Sequence, residues 1–212
     1  AGYNPGAGSA KAKAVREPAC EVNTGKMATM PTFWFYYIWA ILVSAAGLAL
    51  VSQASGIASQ VGTTVSDGNI ATVVGLISIF NGIGRVIFGG LFDKKGYRFN
   101  MIIFIVAALI LVLALVSGNF AFIVIGFVVG GLAYGGVTPT NSAIISDFFG
   151  RENYSMNFSL INTNLLIASF ASTIAGKLYD ASGSFMTTIF MMIIVTVLGF
   201  VVSFGVRRPK NK

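Results

Sequence analysis

An arginine at position 85 stands inside an unbroken apolar run, four residues after Asn81 and seven after Ser78. On a helix these three side chains fall within about 60° of one another. A guanidinium is planar and permanently charged, so it can grip a carboxylate through two parallel hydrogen bonds. Other polar side chains recur at helical spacing in apolar surroundings: Tyr134, Thr138 and Asn141 beside Pro139, then Asn162, Ser169 and Thr173, and finally Tyr37 and Ser44. The candidate anion site is therefore Arg85 with Asn81, Tyr134, Asn141 and Asn162 as neutral partners. For the asparagines and the tyrosine, hydrogen bonding between helices accounts for the pattern equally well, and for the serines and threonines it accounts for it better. The chain has no histidine and a single cysteine, Cys20. It thus lacks the commonest general base, a thiolate cage and a disulfide framework, so enzymatic chemistry, a metal centre and a cofactor are not expected.

These side chains must be positioned by elements that live in lipid. Of 212 residues, 55% are hydrophobic and 10% charged, with a mean hydropathy of +0.80. A soluble domain carries about a quarter charged residues, so this chain cannot cover a globule with polar surface. That excludes a soluble enzyme, a disordered tail and a nucleic-acid-binding domain, despite a net charge of +7. Six apolar runs, near 33–54, 70–92, 100–117, 120–146, 157–178 and 185–206, have the roughly 20 residues that a helix needs to cross a bilayer. They are continuously apolar rather than alternating, which favours helices over a barrel.

The division expected is a flexible linker over 1–32, a six-helix bundle over 33–206 and a basic tail over 207–212. Of the 14 Lys and Arg, Arg85 lies in a span, Lys177 falls on one side and the other twelve fall on the opposite side. By the positive-inside rule both termini are cytoplasmic and the protein is multi-pass in the cell membrane. Residues 1–32 are polar and begin with Ala1, so they do not read as an export signal, and the chain reads as one half of a longer protein.

Arg85 precedes Asp93 by eight residues, which is about 12 Å of helix and places it near the middle of the bilayer. An arginine at that depth costs about 2.5–3.5 kcal/mol on insertion scales. Asp67, Asp93, Asp147 and Asp180 all sit near span ends or in loops, so none is an evident buried partner. A visiting anion in a wet cavity would offset the cost. The alternative is an acid in another part of the protein, which would make Arg85 structural and leave a sugar or drug as the solute.

The octet Gly89-Gly90-Leu91-Phe92-Asp93-Lys94-Lys95-Gly96 recurs loosely as Gly176-Lys177-Leu178-Tyr179-Asp180-Ala181-Ser182-Gly183. Three expected helices separate the copies, which puts them on opposite faces of the membrane, as an inverted three-plus-three repeat requires. A chance recurrence of turn residues is the alternative. In the fourth span, Gly126, Gly130, Gly131, Gly135 and Gly136 have the small-xxx-small spacing of close helix contact.

The stretch Gly89 to Arg98 resembles the cytoplasmic loop signature of the major facilitator superfamily, G-x-x-x-D-[KR]-x-G-x-[KR]. Ala46-Gly47-Leu48 with Ser52-Gln53-Ala54-Ser55, Asp147 to Tyr154, and Ala175 to Asp180 are similar to segments of its oxalate/formate antiporter family, a relative of the monocarboxylate transporters. The resemblance runs from about Phe33 to Arg208. It implies an all-α integral membrane protein: six transmembrane helices as an inverted repeat, one half of a major facilitator fold, with the N-terminal six-helix half absent.

It further implies alternating-access transport of small mono- or dicarboxylates, with Arg85 as the anion-binding residue. Gly89, Asp93, Lys94, Gly96 and Arg98 would form a gating loop. Some oxalate carriers have a second basic residue in the eleventh helix, whereas here nothing basic lies between Arg151 and Lys177. That departure favours a monocarboxylate. The partners implied are a carboxylate anion, the bilayer and the absent half, without nucleic acid.

Overall fold

Apolar runs in lipid must satisfy their backbone polar groups internally, and the chain does so with helices alone. In this computed structural model, residues 17–210 are described, so the cations at positions 11, 13, 16 and 212 lie outside the described residues. Seven helices follow in order: α1 (Thr24–Ala28), α2 (Pro31–Val61), α3 (Asp67–Val116), α4 (Phe120–Ile144), α5 (Tyr154–Asn162), α6 (Asn164–Ser182) and α7 (Met186–Ser203). A π-helical segment, Ile145–Phe149, continues α4. Five stretches are long and apolar enough to cross a membrane: α2, α3, α4 with its π segment, α5 with α6, and α7.

The helix ends are set by local chemistry. Pro31 opens α2, where its missing N–H is harmless. Asn23 caps α1 by accepting from the Lys26 amide, and Asn119 caps α4 by accepting from Ala121. The expected spans 70–92 and 100–117 form one helical stretch, α3, broken at Gly96, where φ is +79°. Fifty straight helical residues would measure about 75 Å, more than twice the hydrocarbon thickness. The two arms of α3 instead fold onto one another. The Asn100 amide donates to the Phe88 carbonyl at 2.8 Å, and the rings of Phe88 and Phe104 stand 4.2 Å apart.

The expected helix over 157–178 is also interrupted, at Thr163 between α5 and α6. Its amide bonds back to Leu160 at 3.2 Å, a tight turn that frees the side chains of Asn162 and Asn164 for contacts across the bundle. The expected linker is only partly a linker. Ala19 and Met27 are buried, and residues 19–22 bond to the backbone of the π segment.

The glycines of α4 act as expected. A Cβ on Gly131 would stand 2.6 Å from the Ile77 carbonyl oxygen, and Gly135 lies against the Asn81 backbone. From the other side, Gly84 meets the Leu132 carbonyl. The first arm of α3 and α4 therefore cross backbone to backbone. The core divides into a larger cluster around Phe33, Tyr36, Trp39, Phe104 and Phe148, a second around Leu50, Ile57, Leu111, Ile123 and Phe127, and a small third of Ala45, Ala168 and Ala171. In the two octets the closing glycines both take positive φ, +79° and +67°, but Gly96 bends α3 with ψ of 176° whereas Gly183 caps α6 in the left-handed helical region with ψ of 12°.

Candidate functional site

The sequence-derived site residues separate into two groups. The glycine seam holds the first. Gly135 permits close approach at Asn81; Arg85 follows one turn further along α3, and Tyr134 directly precedes Gly135 on α4. Tyr134 is half-buried, with its ring covering Gly47 of α2. The same ring lines a mostly apolar cleft among α2, α3, α4 and α7, beside Trp39, Ala46, Leu111 and Thr196. The cleft offers about 40 Å³, enough room to hold water.

Asn81 is half-buried, whereas Arg85 and its neighbours Gly82, Ile83, Val86 and Ile87 are exposed, Val86 to 77%. Among the described residues Arg85 makes no ion pair or hydrogen bond. It projects from an apolar face that remains exposed among the described residues.

The second group is closed on itself. Asn141 is fully buried; its Oδ1 accepts from the Tyr36 hydroxyl at 2.8 Å. Its Nδ2 donates to Asn162 Oδ1 at 3.2 Å and to Asn164 Oδ1 at 3.3 Å. Asn164 in turn donates to the Ala40 carbonyl at 3.2 Å and to Ser44 Oγ at 3.0 Å. Beside it, the Tyr37 and Thr163 hydroxyls meet at 2.6 Å. An amide has two N–H donors, and both of those on Asn141 and on Asn164 are used. This network joins α2, α4 and the α5–α6 break. Tyr36 and Asn164 were missed by reading helical stripes, although an amide at position 164 in an apolar run is itself a signal of interhelical bonding.

The loop residues lie at the end of the bundle that also holds residues 17–24. Gly96 makes the bend, with Gly89 half-buried one turn and more upstream. Asp93 and Lys94 are exposed, and among the described residues Asp93 has no hydrogen bond or ion pair. Arg98 lies over the Tyr97 ring, 5.3 Å from its centroid, and donates to its hydroxyl at 3.1 Å. The Tyr97 hydroxyl also receives the Arg208 amide at 3.4 Å, and the Arg208 guanidinium pairs with Asp147 at 3.0 Å. The polar contacts at this end thus centre on Tyr97, Asp147 and Arg208 rather than on Asp93. Among the described residues no cluster of histidine, cysteine and acids could hold a metal ion.

A bent helical pair sewn to a glycine-rich helix in a bundle of membrane-length helices narrows the choice of family, and comparison with family sequences decides it. The sequence profile described as Major Facilitator Superfamily matches residues 29–212. The chain belongs to the major facilitator superfamily. No curated protein matches it. Major facilitator proteins are transporters rather than enzymes, so this is a multi-pass membrane protein that carries a small solute across a lipid bilayer.

Proposed function

We propose that this chain is a carrier of small organic anions, mono- or dicarboxylates such as formate, oxalate or lactate, in the manner of the oxalate/formate antiporters. One observation carries the reading: Arg85 is a permanent cation in an apolar stretch, exposed, and without an ion-pair partner among the described residues. A charge so placed is costly unless a counter-anion meets it. Asn81 and Tyr134 beside it would supply neutral hydrogen bonds to the carboxylate. Asn141 would act one step back, holding α4 against the α5–α6 break, because both of its donors are engaged, with Asn162 Oδ1 as one of its acceptors.

In this reading the bundle is six helices, the arms of α3 counting separately, arranged as an inverted three-plus-three repeat. The open face bearing Arg85 would meet a second six-helix half, and rocking of the two about the anion would alternate access. The end carrying Arg98, Arg151 and Arg208 would be cytoplasmic in the cell membrane, with the Gly89–Arg98 loop as part of its gate.

The test is uptake by the full-length protein in liposomes, with oxalate, formate, lactate and glucose as competitors, for wild type, Arg85→Lys and Arg85→Gln. Competition by carboxylates and not by glucose, with uptake lost in Arg85→Gln, is expected. Carboxylate uptake unchanged in Arg85→Gln sinks the assignment.

A further inference from the structure

The end of α4 carries an unusual backbone state. A π-helical turn is rare and strained in isolation, and where it ends its last carbonyls have no partners within the helix. Here those carbonyls are taken one after another by the segment before α1. The Ala19 amide donates to the Asp147 carbonyl at 2.8 Å, the Cys20 thiol to the Phe148 carbonyl at 3.0 Å, and the Val22 amide to the Phe149 carbonyl at 3.1 Å. Just beyond, the Glu21 carboxylate accepts from the Arg151 amide at 2.9 Å and from the Glu152 amide at 3.1 Å. These two N–H groups come after Gly150, whose φ of +95° turns them toward the carboxylate.

Gly150 is required twice over. A side chain there would be strained, and its Cβ would stand 2.8 Å from the Cys20 carbonyl and closer still to the Glu21 carboxylate. The segment is anchored further by Asn157, which donates to the Val22 carbonyl at 3.0 Å, and by the Arg208 guanidinium on the Glu17 carbonyl. The π segment begins at Ile145, whose amide still bonds to the Asn141 carbonyl, so the turn it distorts adjoins the one that carries Asn141.

We propose that residues 17–24 are a strap that holds the end of α4 in its π conformation, and that release of the strap lets residues 145–149 relax to α-helical register. A π turn accommodates one more residue than an α turn, so the relaxation rotates the downstream chain by about 100° and pulls on the Asn141 network. The strap is thereby a two-position element that couples the segment before the bundle to the polar centre between α2, α4 and α5–α6. This holds whatever solute the carrier moves.

The test uses the full-length protein in nanodiscs, with hydrogen–deuterium exchange across residues 145–153 and alkylation at Cys20 read by peptide mass spectrometry. Glu21→Ala should raise both by about tenfold, the effect of losing a charge-assisted hydrogen bond. Glu21→Gln, whose amide oxygen can still accept, should raise them less. Ala19→Pro, which removes the donor to Asp147, should speed exchange at 145–153 without touching the carboxylate. The proposal is overturned if Cys20 becomes reactive while exchange at 145–153 stays at its wild-type rate, or if neither quantity moves in Glu21→Ala and Ala19→Pro.

Discussion

The Arg208 guanidinium lies 3.0 Å from the Asp147 carboxylate, tying the tail beyond α7 to the π end of α4. Asp147 is nearly buried and Arg208 mostly so, which makes this pair worth more than one on an open surface. Asp147 has further contacts that temper the loss of any single one. Arg208→Gln should therefore destabilise the protein by about 1–3 kcal/mol, the usual cost of removing a hydrogen bond to a charged, buried group. Thermal unfolding in detergent measures this; a melting temperature equal to wild type would show that the pair contributes nothing.

The closed amide network predicts a stability effect before any effect on solute affinity. In membrane bundles one interhelical hydrogen bond contributes about 0.6 kcal/mol on average and about 1.7 at most. Each of Asn141→Ala and Asn164→Ala removes three bonds, but Asn141→Ala also leaves the buried Tyr36 hydroxyl without its acceptor, so its loss should be the larger. Denaturation of both variants ranks them. The reverse order would mean that Asn164, through Ala40 and Ser44, is the centre of the network.

The glycine seam gives a matched pair of substitutions. Gly135→Ala drives a methyl into the Asn81 backbone, whereas a Cβ at Gly90 meets nothing within 4 Å. Overpacking of that kind costs about 1–3 kcal/mol, while Gly→Ala in an open helical position gains up to about 1 kcal/mol. Gly135→Ala should also push Arg85 away from Tyr134 and so impair uptake. Equal behaviour of the two variants in thermal unfolding and uptake would remove the seam as the device that positions Arg85.

The Cys20 thiol is held above its ordinary range, first by burial and then by the neighbouring Glu21 carboxylate, with Arg208 acting the other way. Both larger causes disfavour the thiolate, so alkylation of Cys20 should rise with pH through a midpoint higher than that of a free thiol. Glu21→Gln removes the repulsion and loosens the burial, which moves the midpoint down. A pH series of alkylation rates decides it, and an upward or absent shift in Glu21→Gln would contradict the assigned causes.

Much of this protein is legible along the chain because membrane burial writes itself locally. Each apolar run announces a helix, and the G-x-x-x-D-[KR]-x-G-x-[KR] pattern from Gly89 to Arg98 carried the superfamily that the profile over 29–212 shows. Small-residue spacing in α4 was enough to expect close packing, because a missing side chain is a property of one residue. What the chain alone did not determine depends on partners far apart in sequence. Helical stripes grouped Asn141 with Tyr134, since both lie on one face of α4. Whether an amide faces a cavity or a neighbouring amide is settled only when α2 and the α5–α6 break arrive beside it, and Tyr36 and Asn164 then take its hydrogen bonds. Likewise Glu21 and Arg208 fall in the segments expected as a linker and a basic tail, and only the tertiary fold sets one on the Arg151 and Glu152 amides and the other on Asp147. Burial is encoded residue by residue, whereas the pairing of polar groups is a property of the assembled bundle.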